Sequence, residues 1–340
     1  MCIRDRFRIK PLISFLGSVV LLSGSLWLSS CQSCSSDGQT DGASGPELGT
    51  VGKGPQIDKS GDVQLHTLIR ENVHKFHQLQ FRDTVNGCSM KYNLFTPEIK
   101  NGEKYPLVIF MADGSTTGQN VLSPLIQGYG GLVWVTDDWQ KNHPSFVLVP
   151  QFSGTAVDNK FRHTPEVETL LRLIESLSGK NPVDRNRMYT AGQSMGGMIA
   201  MYFDVTYPDM IAASMYVDSY WDTKIFDTLV HSKFIYVTAG AKGKSWTNII
   251  PIEKAAKKER LEVGFDTWSA RLPEEQQNDL AIELLEKGSP INLINFSPKS
   301  VLPEGKDGDE HVYCYDYAFK IPALREWIFR QERGKGVRPL

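Results

Sequence analysis

A pentapeptide in the middle of the chain, Gly192-Gln193-Ser194-Met195-Gly196, sets a serine between small residues in a G-x-S-x-G pattern. The apolar run 187–191 precedes it, and a helix-like segment follows from about Gly197. Strand, tight turn and helix in that order bend the chain so sharply that small residues are needed on both sides of the serine, and the bend projects its hydroxyl above the sheet. A serine presented in this way attacks a carbonyl carbon once a neighbouring base takes its proton. The N–H of Met195 would open the helix and point at the charge that develops on the carbonyl oxygen. A second backbone donor is expected from the loop after the run 106–111, at Asp113 or Gly114. Gln193 and Trp221 are candidate substrate contacts.

The base should be a histidine. Two follow Ser194, His231 and His311. His231 lies in a His-Ser-Lys link just before an apolar run, which is the wrong end of a strand. His311 comes after the run Ile291–Phe296 and a polar loop, just ahead of the closing helix, and is the preferred base. The acidic stretch Asp307-Gly308-Asp309-Glu310 beside it reads as a solvated loop. No metal ligand set and no cofactor motif is predicted.

These groups need a scaffold that brings distant segments together. Short apolar runs at 92–95, 106–111, 145–149, 187–191, 211–217, 233–239 and 291–296 suit strands covered on both faces. Helical periodicity lies between them, at 166–177, 198–207, 252–263, 273–287 and 317–330, with Thr164-Pro165 as a start signal for the first. Such alternation predicts an α/β class: a doubly wound, mostly parallel sheet with flanking helices, whose ligands bind beyond the carboxyl ends of the strands.

The ordered set of segments resembles a known group. Tyr105-Pro106-Leu107-Val108-Ile109-Phe110, His143-Pro144-Ser145-Phe146-Val147-Leu148-Val149-Pro150-Gln151, Asp184-Arg185-Asn186-Arg187-Met188-Tyr189, the Gly192-to-Gly197 turn, Tyr207-Pro208-Asp209, His311 and Glu326-Trp327-Ile328-Phe329-Arg330-Gln331 are similar to α/β-hydrolases of the "predicted peptidase" group. Those are related to esterases of the polyhydroxybutyrate-depolymerase and feruloyl-esterase type. The resemblance runs from about Tyr92 to Gln331 and implies the α/β-hydrolase fold and a serine, histidine and acid triad. Two departures stand out. The group usually has a histidine where this chain has Ala112. It also places its catalytic aspartate just after the strand that ends near Ala239, where this chain reads Gly240-Ala241-Lys242. The usual acid is therefore expected to be absent. Asp218, at the end of the preceding strand, is the candidate replacement, with Asp222 nearby.

The N-terminus carries a different signal. Arg4, Arg6, Arg8 and Lys10 precede an apolar stretch that ends in Leu28-Ser29-Ser30-Cys31. A basic segment followed by an apolar one is an export signal, and the small residues before Cys31 resemble a bacterial lipobox, with Cys31 the lipidated residue. Residues 1–30 are read as a lipoprotein signal peptide. Residues 31–61, rich in Gly, Ser, Asp and Thr, form a flexible tether, and 62–340 the hydrolase domain. The expected location is the bacterial cell envelope, with a lipid anchor in the membrane. In the folded body only Cys88 and Cys314 could pair, and the sequence leaves that open. The formal net charge of −2 supplies no field to attract nucleic acid.

The leading expectation is an extracytoplasmic serine hydrolase of carboxylic esters, acting on a small ester or an acylated polysaccharide. A serine peptidase of the same fold is the enzymatic alternative. A rival of another class is a lipoprotein that binds a glycan or peptide without turnover, its triad broken; Trp134, Trp139, Trp221 and Trp246 would then offer stacking surfaces.

Overall fold

The structure, a computed structural model, describes residues 57–340. The export signal, Cys31 and nearly all of the tether lie outside the described residues. Among the described residues no helix is long and apolar enough to cross a membrane.

Nine strands form one sheet: β1 (His77–Arg82), β2 (Ser89–Phe95), β3 (Tyr105–Met111), β4 (Phe146–Gln151), β5 (Val183–Gln193), β6 (Ala213–Val217), β7 (Phe234–Ala239), β8 (Val263–Trp268) and β9 (Ile291–Phe296). Their spatial order is β1-β2-β4-β3-β5-β6-β7-β9-β8. From β4 to β8 every pairing is parallel, while β1 and β2 run antiparallel at one edge. The predicted doubly wound α/β sheet is present.

Side chains that alternate along a strand face opposite sides, and β3 shows the consequence. Leu107, Ile109 and Met111 join one core, with Leu170 and Ile174 of helix α4 (Pro165–Lys180) and Met198 and Ile199 of α5 (Met195–Thr206). Val108 and Phe110 join the other core, with Leu65 of α1 (Val63–Asn72), Leu284 of α9 (Glu274–Leu285), Phe319 of α10 (His311–Lys320) and Trp327 of α11 (Pro322–Arg330). Every residue of β3, β4, β6, β7 and β9 is buried, which explains why these strands read as unbroken apolar runs. The remaining helices are short pieces at loop turns, α2 (Ser123–Ile126), α3 (Asp137–Asn142), α6 (Phe226–Leu229) and α7 (Lys244–Thr247), together with α8 (Ile249–Lys258).

The elements depart from the predicted pattern in three places. β1 is largely exposed and rich in Gln, so it carries no apolar signature; it holds its place by edge pairing to β2. The helix expected over 252–263 ends at Lys258, and Val263 opens β8, a strand half exposed at the opposite edge. The closing helix is two, because Pro322 lacks an N–H and forces Ile321 into an extended conformation. The first of the two, α10, starts earlier than expected, at His311.

Candidate active site

The sheet register sets the carboxyl ends of β3, β5, β6, β7 and β9 side by side. Met111 pairs with Gly192, Gln193 with Val217, Val217 with Val237, and Ala239 with Phe296. The first residues beyond β5 and β6 are Ser194 and Asp218. Each continues the ladder by one bond: Ser194 N–H donates to Val217 O at 3.0 Å and Asp218 N–H to Val237 O at 2.7 Å. Both then turn through positive φ, Ser194 at 49° (with ψ −117°) and Asp218 at 43°. Such angles are costly for non-glycine residues and cluster at functional sites.

The glycines around Ser194 are demanded by close approach. A Cβ at Gly192 would meet Gly196 C at 2.4 Å, and one at Gly196 would meet Met111 O at 1.9 Å. The helix therefore begins at Met195, two residues earlier than the expected start, and its first turn presses against the end of β3. Helix N-termini carry unpaired N–H groups, and the Met195 side chain packs against the loop after β3, where a Cβ built on Gly114 would lie 3.8 Å from its sulfur.

His311 reaches this point from the far end of the chain. Its Nε2 lies 2.9 Å from Ser194 Oγ. Its Nδ1 is hydrogen-bonded to Asp218 Oδ2. The tautomer that donates from Nδ1 to the carboxylate leaves Nε2 free to accept from the serine hydroxyl. Burial acts to lower the pKa of His311, but the hydrogen bond and charge of Asp218 outweigh it, and the net shift is upward. Asp218 itself is 5% exposed, and the loop that follows it is pinned from below: Tyr236 donates its hydroxyl to Ser219 O and, at 2.9 Å, to Ser245 O. Ser219 Oγ in turn donates to Ser194 O at 2.9 Å.

The position after β7 lacks a carboxylate of its own, since Ala241 stands there. Glu310 enters that space from the His311 loop. A Cβ at Gly240 would fall 2.2 Å from Glu310 Oε2, and Lys299 N–H donates to Oε1 at 2.5 Å. Asp222 is used elsewhere; its carboxylate accepts from Lys224 N–H. His231 is exposed before β7, as the order of elements required, and takes no part.

On the other side of Ser194, Asp113 is the N-cap of a short turn. Its carboxylate accepts from Ser115 N–H, Ser115 Oγ and Gln127 Nε2, each at 2.7 Å. Gln127 Oε1 accepts from Gln193 Nε2 at 2.7 Å. Gln193, expected as a substrate contact, is 3% exposed; it ties the loop after β3 to the nucleophile strand instead. Trp221 is likewise not brought to the cavity. It is 3% exposed, donates from Nε1 to Asp158 O and packs on Phe161. Trp134 and Trp139 are core residues, the first stacked on Phe329 and the second meeting it edge-on, and Trp246 packs beside Phe265.

A cavity of about 700 Å³ opens over Ser194, His311 and Asp218, with Tyr220, Lys242 and Lys244 on its walls. Among the described residues no group of three His, Cys, Asp or Glu side chains is placed to hold a metal ion. Cys314 is a buried free thiol, so no bond joins it to Cys88. Two residues beside the site went unread in the sequence, the half-buried Gln127 and the buried Tyr315. Tyr315 had a legible signal: it follows His311 by four positions on one helix, so the two share a face.

No protein-family model matches the sequence, nor does any curated protein. Solved structures do. A thermostable esterase superposes with a TM-score of 0.59 at 21% identity, over 77% of this chain and 64% of that chain, so the chain spans less than two thirds of that esterase's length. A feruloyl esterase module from Clostridium thermocellum, complexed with sinapinate, matches at 16% identity and a TM-score of 0.47, over 73% of this chain and 87% of that chain. The fold is that of the α/β-hydrolases.

Proposed function

We propose that the chain is a serine hydrolase of carboxylic esters, with Ser194 as nucleophile, His311 as general base and acid, and Asp218 as the orienting carboxylate. The observation that carries this reading is the continuous line from Asp218 through His311 to Ser194, drawn from the ends of β6 and β5 and the start of α10. His311 Nε2 takes the Ser194 proton as Oγ bonds to the ester carbonyl carbon, and the carbonyl electron pair moves onto oxygen. The N–H groups of Met195 and of the Asp113–Gly114 turn stabilise that charge. The imidazolium, held by Asp218, then protonates the departing alcohol, and water repeats the cycle on the acyl-enzyme. The hydrogen bond from His311 to Asp218 supports the enzyme reading over the binding-only alternative, whose main support was the absent acid after β7.

The basic and apolar N-terminus with Cys31 supports export and lipid anchoring in the cell envelope, where a small ester or an acyl group on a polysaccharide would be met as substrate. A peptidase reading has no separate observation in its favour. The test is direct. The purified chain should react with a fluorophosphonate probe and release p-nitrophenol from a short-chain p-nitrophenyl ester, and Ser194→Ala should do neither. A folded wild-type protein that is inert toward both overturns the reading.

A further inference from the structure

The loop after β7 reads Gly240-Ala241-Lys242-Gly243-Lys244. Where the resemblance leads to one negative charge, the chain carries two positive ones. Both lysines are exposed on the wall of the cavity of about 700 Å³ that holds Ser194 and His311. Lys244 reaches across to the loop after β6: its Nζ donates to the Tyr220 hydroxyl at 3.1 Å and stands 4.8 Å from the centre of the same ring. The phenol oxygen accepts that bond, so its own hydrogen remains to be donated. Among the described residues neither lysine forms an ion pair with a carboxylate. The acids on the opposite wall are held by partners of their own. Asp307 pairs with the Lys299 ammonium, Glu310 Oε1 accepts from the Lys299 N–H, and Asp309 Oδ1 accepts from the His311 N–H at 3.0 Å. The wall after β7 thus offers N–H and O–H donors and uncompensated positive charge, a short way along the cavity from the reactive serine.

We propose that this wall sets the substrate class: the ester attacked by Ser194 carries a second, ionised acid group, which Lys244 and the Tyr220 hydroxyl bind with Lys242 beside them. This rests on the hydrolase reading of Ser194. Hydrogen bonds from an ammonium to an oxyanion are stronger than those between neutral groups, and a partly enclosed cavity screens them less than open water does. The bound charge lies away from the bond being broken. It is held alike in the bound ester and in the transition state, so the contact acts on KM and kcat/KM and leaves kcat nearly alone. The two lysines are therefore specificity residues, and the chemistry stays with Ser194, His311 and Asp218.

Mono-p-nitrophenyl adipate and p-nitrophenyl hexanoate differ in a carboxylate for a terminal methyl group, and the quantity read is the ratio of their kcat/KM values. At low salt the wild type should prefer the adipate by roughly 10-fold, the worth of one hydrogen bond to a charged group, with the difference in KM. The preference should shrink severalfold in about 1 M salt. Replacing both lysines, Lys242→Met with Lys244→Met, should bring the ratio to one or below. Lys254→Met makes the same kind of charge change on α8, outside the cavity, and should keep the preference. Each ratio is taken on one preparation, so any general loss of activity cancels. A wild type without preference for the adipate overturns the assignment. So does a preference that survives the loss of both lysines, or one that Lys254→Met abolishes equally. If the double variant does not fold, the two single variants are judged by the same outcomes. A wild-type chain that cleaves neither ester and takes no fluorophosphonate defeats the hydrolase reading itself; one that is labelled and cleaves only the hexanoate defeats this proposal alone.

Discussion

Asp218 Oδ2 accepts the Nδ1 hydrogen of His311 across 93 positions of sequence. The contact exists because β6 ends one residue before Asp218, at Val217, while the chain re-enters the same edge after β9 through a loop that delivers His311 as the first residue of α10. The carboxylate therefore reaches the imidazole from the strand next to the nucleophile strand, with β7 supplying only the floor. The loop after β7 is left to Glu310, Lys242 and Lys244, which shape the cavity instead.

Asp218→Asn should keep the fold and lower kcat by as much as about 10⁴, because the amide favours the wrong imidazole tautomer and no longer stabilises the imidazolium. Asp222→Asn should leave kcat within about twofold. Steady-state kinetics on the two variants checks this; equal losses in both would remove Asp218 from the triad.

The acid limb of kcat/KM should lie above pH 6.5. His311 must be neutral to accept the serine proton, and its pKa is raised from 6.5 by the Asp218 bond and charge, which outweigh burial. Activity then rises as pH rises through that elevated value. In Asp218→Asn the two largest raising contributions are gone while burial remains, opposed only by the weaker charges of Asp309 and Asp113, so the limb should move to lower pH. A profile measured on both proteins, corrected for stability, decides it.

Ser194 holds φ 49° and ψ −117°, a conformation that costs a residue with a Cβ on the order of 1–3 kcal/mol. Ser194→Gly should abolish turnover while raising unfolding free energy by about 1 kcal/mol or more. Gly196→Ala should do the opposite to stability, since its Cβ would sit 1.9 Å from Met111 O, a backbone atom that cannot rotate away. Denaturant unfolding of the two variants should bracket the wild type.

Asp204 lies in the last turn of α5, buried against β6. It accepts hydrogen bonds from Ser214 Oγ at 2.6 Å and from the Tyr216 hydroxyl. Burial, opposed by those bonds, pushes its pKa up to about 7 from 3.8. The folded state thus holds this proton more tightly than the unfolded chain, so the contribution of Asp204 to stability declines as pH rises from about 4 to about 7 and levels off above. Asp204→Asn should flatten that slope and stabilise the protein at pH 8 relative to wild type. Urea midpoints at pH 5 and pH 8 measure it.

The tight turn at Ser194 and the place of His311 beside it were legible because each is a local pattern with one workable place in the order of elements. Gly192 through Gly197 after an apolar run can hardly be anything but a tight strand-to-helix bend, and His311 stands between the last run and the last helix. Burial on both faces made β3, β4, β6, β7 and β9 visible as apolar runs. β1 and β8 escaped because an edge strand with one wet face has no such signature. Gln193 and Trp221 were misread for the converse reason: polar or amphipathic side chains beside a reactive serine look like substrate contacts until a partner, Gln127 for one and Asp158 O for the other, is seen to hold them.

The amino-acid order alone determined an alternating α/β chain with a serine on a strained turn and a histidine to serve it, since steric demand and hydrophobic periodicity are written locally. Which carboxylate completes the line, Asp218 rather than one beyond β7, was decided by tertiary structure. So was the setting of the Tyr315 ring edge-on to His311. Both depend on which strand ends lie adjacent and on the angle at which α10 crosses them, and those are properties of the packed sheet that no stretch of neighbouring residues encodes.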